Sequence, residues 1–434
     1  MKNTTRKIAS LLMASTILAS GCARTTGNRR DDDDERNVDV EFNTTIDYSE
    51  LEQCSYNGDH FASDYNRYTF NLMSEVLSSE DPDTNVMVSP ASIMFAMDLA
   101  AAGANGDTLT QITDMFSSGA DPLEQQAFAA QMMDRINSSE GVSFNSANAV
   151  WTNENLMSSG LNPEYQEYIE EYFDAEAREE PFSMATVNEI NSWIDDHTNG
   201  MIDHVLDDLS DECIAVLVNA IAFEGNWDHA YEDYQVSEMP FTTSTGDEID
   251  VDMLSDGSAN YFENDKASGF MRLYEGGEYA LLVMLPSDEN VSANEFLSDF
   301  TYEDYEEFVN SISYDYEVYT RIPEFDYDYD ITLNNVLYNL GVEDAFSDTD
   351  ADFTGIGFAD SGNNIYISRV LHKTHIELDR EGTRAAAATV ILMDEACAMP
   401  VENEIRYVYC DRPFAYAIVE TDTMNPMFIG TYNG

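Results

Sequence analysis

The sequence predicts one large α+β domain within a chain of 434 residues. Three observations lead there. Apolar residues recur at helical spacing mainly in the first half, whereas strand-like segments crowd the second. Between Gly58 and Gly434 no internal repeat and no Pro- or Ser-rich linker divides the chain, although length alone would allow two or three domains. Finally, IAVLVNAIAF (214–223) is a nearly continuous apolar run, the pattern of a strand buried on both faces.

Taken in order, residues 1–21 read as an export signal. Lys2, Arg6 and Lys7 form a positive start, and Ile8 to Ala19 is an apolar run too short to span a bilayer. It ends LASGC, with Cys22 directly after Gly21. This resembles a bacterial lipobox, with Ala19 where Leu is commoner; an ordinary signal peptide with an incidental cysteine is the alternative. A lipidated Cys22 would carry the several acyl chains that stable membrane anchoring requires. The expected location is therefore the outer face of the cell membrane, or secretion. Residues 22–57 are polar and charged, contain DDDD, and show no hydrophobic period, which predicts a disordered acidic tether. The folded domain is expected over 58–434.

Within it, NRYTFNLMSEVL has helical spacing. NVMVSPASIMFAMDLAAAGANGDT reads strand, turn and helix, with Pro90 suited to the first helical turn and Gly103 and Gly106 at the helix end. TLTQITDMF and residues 123–136 are further helices, SFNSANAVWT is a strand, and a long polar helical region is expected to about Leu206. After the buried strand, mostly strands are expected as far as RIPEF, with turns at STGD, YEGGEY and LPSDEN. ITLNNVLYNLGV reads as a helix capped by Gly341, and FAYAIVE and PMFIGTYN as closing strands.

Acidic residues number 84 against 19 basic, for a formal charge of −65. That excess argues against nucleic acid, which needs clustered Lys and Arg. It serves solubility, or presents an acidic face to a basic partner. Besides Cys22 there are Cys54, Cys213, Cys397 and Cys410, with no C-x-x-C and no zinc spacing. His372, His375 and Glu377 lie in one strand with the two histidines on opposite faces, so no metal site is expected. Ser89 lacks a surrounding G-x-S-x-G and is no hydrolase nucleophile. No cofactor is expected.

The segment EGTRAAAATVILMDEACAMP (381–400) has divided tendencies. Four alanines favour helix, and the β-branched residues after them favour strand. A segment that is an exposed loop at first and a strand later would carry both.

From about residue 58 onward the chain resembles the serpins. The resemblance rests on NVMVSPASI, GANGDTLTQI, VNAIAFEGNWDHAY, RIPEFDYDYDITLNNVLYNLGVEDAFSDTDADFTGI, VLHKTHIELDREGTRAAAATV and DRPFAYAIVE with PMFIGTYN, in serpin order. It implies the serpin fold: three β-sheets, eight or nine helices and an exposed reactive-centre loop. It also implies a suicide-substrate inhibitor of serine proteases and no enzyme activity. A target protease cleaves the loop and forms an acyl-enzyme, and the freed loop inserts as a strand in the main sheet before the ester hydrolyses. The covalent partner would be that protease, and the inhibitor a monomer. A non-inhibitory binding protein and a cross-class inhibitor of papain-like cysteine proteases are the alternative readings.

An inserting strand buries alternate residues. Thr383, Ala385, Ala387, Thr389, Ile391 and Met393 are uncharged and suit the core. Arg384, Ala386, Ala388, Val390, Leu392 and Asp394 carry their charges only at the ends. Gly382 and Thr383 with Ala385 to Ala388 form the hinge; Arg380 stands where many inhibitors carry an acid. The resemblance places the reactive bond about fourteen positions after Gly382, at Ala396–Cys397, a stretch of roughly 45 Å as a strand. A small residue there suits elastase- or subtilisin-like enzymes. Bonds after Met393, Glu395 or Met399 compete. Ser89, Ser92, Asn219 and His372 match the residues that hold the sheet's opening region (the shutter), and Trp227 matches the tryptophan where the loop first enters (the breach).

Overall fold

The computed structural model describes residues 42–383 and 404–434, apart from 203, 259 and 361–363. The first half holds α1 (Gly58–Ser78), β1 (Val86–Val88), α2 (Pro90–Gly103), α3 (Gly106–Phe116), α4 (Pro122–Ser138), β2 (Val142–Asn153), α5 (Pro163–Phe173), β3 (Ala175–Glu180), α6 (Met184–His197) and β4 (Ala215–Asn226). The second holds β5 (Val236–Thr242), β6 (Glu248–Ser258), β7 (Phe262–Glu263), β8 (Ala267–Leu273), β9 (Tyr279–Pro286), α7 (Ala293–Ser298), α8 (Tyr302–Asn310), β10 (Tyr316–Pro323), β11 (Phe325–Thr332), α9 (Asn334–Asn339), β12 (Ile367–Leu378), β13 (Gly382–Thr383), β14 (Glu404–Tyr409), β15 (Phe414–Glu420) and β16 (Pro426–Tyr432). Nine α-helices and three sheets are thus present among the described residues, the expected α+β architecture.

The main sheet runs β11-β12-β13-β4-β2-β3; a second runs β1-β16-β15-β9-β8-β7, and a third β14-β10-β6-β5. Behind the main sheet lies α2. Its start is set by Ser89, whose Oγ accepts the Ser92 N–H, and by Pro90 at the first position. Every residue of α2 is buried, as befits a helix apolar on all sides. On the opposite face, α6 packs Ile190, Trp193 and Ile194 against Ala147, Ala149 and Val218 of β2 and β4. β4 is buried along nearly its whole length because it is covered on both sides.

Four expectations need correction. The tether ends sooner than residue 57. Ile46 and Leu51 are buried, the Tyr48 hydroxyl donates to the Ala102 carbonyl at 2.7 Å, and the Tyr48 ring stacks on Tyr168 at 4.1 Å. The segment is anchored by scattered single apolar residues, which have no period to read. β3 (AEAREE) breaks the long helical region. It is an edge strand, paired in parallel with β2 on one side only, and its charges remain partly exposed. α7 and α8 interrupt the expected run of strands. Each begins in a capping box, Ser292 with Glu295 and Thr301 with Asp304, a signal present in the sequence. Finally, Ile331 and Thr332 finish β11, so α9 starts only at Asn334.

Candidate functional site

The site is the seam between β12 and β4. These strands pair in parallel from Ile367↔Ala215 to His375↔Ala222 and then separate. Into the opening comes β13, antiparallel to both neighbours: Thr383 pairs with Leu378 of β12 and Gly225 of β4, and Gly382 with Asn226. The first two hinge residues are therefore already a strand of the main sheet.

A tight turn delivers them. The Asp379 N–H donates to the Gly382 carbonyl at 2.9 Å. The Asp379 carboxylate accepts the backbone N–H groups of Glu381 and Gly382, at 2.7 and 3.0 Å. Gly382 is required here by space. A Cβ on it would lie 2.1 Å from the Gly225 carbonyl oxygen and 2.8 Å from the Asn226 Cα.

Trp227 closes this end of the seam. Its indole N–H donates to the Asp379 carbonyl at 3.0 Å, its backbone N–H to the Glu381 carbonyl at 2.9 Å, and its ring stacks on Tyr274 at 4.7 Å. The Tyr274 hydroxyl lies 2.7 Å from Thr383 Oγ1, and burial pushes its pKa up, so it stays a neutral partner. The Arg272 guanidinium sits over the Tyr231 ring at 3.8 Å and is paired with Asp256 at 2.9 Å. Arg380 is held by acids: its guanidinium is 3.1 Å from Asp233 and 3.6 Å from Glu324, and its N–H donates to Glu324 at 3.2 Å. Burial, opposed by Arg380, raises the Glu324 carboxyl above its ordinary range. Sequence reasoning missed Tyr274, Arg272, Asp379 and Glu324. Asp379 and Glu324 lie inside words that carry the resemblance and Tyr274 in the YEGGEY turn, but no spacing marks any of the four as a hinge partner; the assembled sheet brings them together.

Lower in the seam, Ser89, Ser92, Asn219 and His372 form one buried cluster. The Ser89 backbone N–H donates to His372 Nε2 at 3.1 Å. Nδ1, 2.8 Å from Asn219 Oδ1, must then carry the ring proton. Asn219 Nδ2 lies 2.5 Å from Ser92 Oγ, 2.8 Å from the Ser92 carbonyl and 2.7 Å from Asn148 Oδ1, and Ser89 Oγ donates to the Met427 carbonyl at 2.7 Å. Burial lowers the His372 pKa to about 3, so the ring is neutral. His372 and Asn219 are themselves direct partners in the β12–β4 register. His375, on the other face, pairs with Asp328 at 2.9 Å.

Thr383 is 1% exposed and belongs to the core face, which its alternation predicted. Arg384, Ala385, Ala386, Ala387, Ala388, the reactive bond Ala396–Cys397 and its competitors, and the lipidation site Cys22, lie outside the described residues.

The family model described as Serpin (serine protease inhibitor) matches residues 63–434. The chain belongs to the serpin family. Serpins are in general protease inhibitors rather than catalysts. An uncharacterized serpin-like protein of Methanosarcina acetivorans is 29% identical over 98% of this chain and 97% of its own length. The leukocyte elastase inhibitor A of Mus musculus is 28% identical, over 82% of this serpin and 94% of that protein. Among solved structures, the thermophilic serpin tengpin in its native state superposes with a TM-score of 0.79 at 31% identity, covering 88% of this chain and 98% of that one. Tengpin in its latent state gives 0.73.

Proposed function

We propose that this serpin is a suicide-substrate inhibitor of elastase- or subtilisin-like serine proteases, cleaved at Ala396–Cys397 and consumed by inserting its loop into the main sheet. One observation carries the reading: β13 is a strand already begun, antiparallel to both β12 and β4, at the open end of a seam that direct β12–β4 pairing closes further down.

Extending its register supports the reading in two ways. Six residues past Thr383, Thr389 falls opposite His372 on one side and Asn219 on the other, the two residues now bonded to each other. Its hydroxyl is the right group to satisfy both once they are parted, which avoids leaving buried polar atoms unpaired. One residue past Thr383, Arg384 falls opposite Glu377 of β12 and Glu224 of β4, on the face away from α2. Its charge therefore meets two acids instead of the core. Arg380 is likewise matched by Glu324 and Asp233. Arg380, which stands where many inhibitors carry an acid, is thus already matched by acids, and Arg384 would be on insertion.

In this reading the serpin is no enzyme, is a monomer held at the outer cell surface through lipidated Cys22, and binds no nucleic acid. Mixing it with pancreatic elastase or subtilisin should give a covalent complex that survives hot detergent, with a released fragment beginning at Cys397. Loop cleavage alone should raise the melting temperature steeply. Turnover of the loop without complex would reject inhibition, and an unchanged melting temperature would favour a non-inhibitory binding protein.

A further inference from the structure

The third sheet carries an uncovered aromatic face. β14 and β10 pair in parallel with Ile405↔Glu317, Tyr407↔Tyr319 and Tyr409↔Arg321. Alternation turns Val408, Val318 and Thr320 into the core and these six residues outward. Tyr407 is 58% exposed, Ile405 44% and Tyr319 41%. The Tyr407 and Tyr319 rings stack at 5.7 Å, and Tyr409 packs beside Tyr407 at 5.4 Å under the Arg321 guanidinium, 4.1 Å away. Across the next strand, Tyr319 faces Gly257, which offers no side chain to cover the ring. Tyrosines pre-stacked on a rigid sheet lose little entropy on binding and are a common energetic centre of protein interfaces. In a chain this acidic, such a face is conspicuous.

We infer that this face is a second contact site for the protease, engaged alongside the reactive bond. The inference rests on the inhibitory reading above, and its occupant follows from position. Six residues lie between Cys397 and Glu404, where β14 begins, and Tyr407 is three further on, a span to the rings of at most about 33 Å. A protease seated on Ala396–Cys397 is held within that reach of the rings. Glu317, which accepts the Tyr319 hydroxyl, is balanced by Arg321, and Glu404 at the border is paired with Arg406 at 2.6 Å, so the face is near neutral and suits a protease whose rim beside the cleft is apolar or aromatic.

The test compares second-order rates of complex formation with pancreatic elastase and subtilisin for the full chain, the double variant Tyr319→Ala/Tyr407→Ala and the single variant Tyr407→Lys. Tyr338→Ala, in an exposed tyrosine on α9, is the control. The expected result is a rate lower by about tenfold or more for the double variant, a larger deficit for Tyr407→Lys against a basic than an acidic protease, and unchanged stoichiometry and melting temperature. Wild-type rates in folded variants would overturn this contact site alone. If the wild-type chain traps no protease, the inhibitory reading falls and this site falls with it.

Discussion

Arg384→Glu tests the inserted state at the one charged position in the first part of the segment to insert. In the extended register Arg384 lies one strand spacing from Glu377 and one from Glu224. An opposite-charge cross-strand pair contributes about 0.2–1 kcal/mol, and a like-charge pair costs a similar amount. Reversing the charge exchanges two favourable pairs for two unfavourable ones. On a face with solvent access that totals about 2 kcal/mol against insertion. If half is felt in the transition state, insertion slows about fivefold, while hydrolysis of the acyl-enzyme is untouched. The stoichiometry of inhibition should rise several-fold, read by titrating a fixed amount of protease, and the gain in melting temperature on loop cleavage should shrink. Adding Glu224→Gln and Glu377→Gln to Arg384→Glu should restore most of the loss. An Arg384→Glu protein with wild-type stoichiometry and an undiminished thermal gain would refute the register and with it the acidic slot.

Gly382→Ala forces a Cβ into the backbone of β4. It should lift β13 out of the sheet, cost about 1–3 kcal/mol in a native-state melt, and raise the stoichiometry of inhibition; an unaltered melt would mean β13 does not hold that place in solution. Arg380→Glu puts like charges beside Glu324 and Asp233 and should lose about 1 kcal/mol of stability, with Arg380→Glu/Glu324→Arg recovering more than Arg380→Glu alone retains. His372 sets a pH dependence. Its folded pKa is depressed to about 3 from an ordinary 6.5, so the unfolded chain takes up a proton that the folded chain refuses. The stability it contributes is complete above pH 6.5 and is lost as pH falls toward 3, by about 2 kcal/mol between pH 8 and pH 5. Melting midpoints of His372→Gln should be flatter over that interval; an equal slope would place the titration elsewhere.

What could be read in the sequence was what has a period or a position-specific residue. The apolar run of β4 announced burial on both faces, Ser89 and Pro90 the start of α2, and the alternation after Gly382 put Thr383 on the buried side. β3 could not be read, because an edge strand with charges half in solvent has no alternation to show. The capping boxes of α7 and α8 could have been read and were outweighed by the strands around them. The partners of the hinge were out of reach for a different reason. Tyr274 meets Thr383 across 109 residues and Glu324 meets Arg380 across 56, so these contacts exist only once the sheet is assembled.

Strand polarity gives the main sheet a direction in time. β12 and β4 are joined by eight parallel pairs, and parallel ladders are the slightly weaker kind. Because β12 runs straight into the turn at Asp379, whatever follows it emerges antiparallel to both strands. On the inhibitory reading, folding that continuation downward would exchange one parallel ladder for two antiparallel ones, and the only chain end to move would be the one that cleavage frees. The reverse step would have to break two ladders to restore one. The chain order itself, a strand followed at once by its own intended neighbour, would then act as a ratchet.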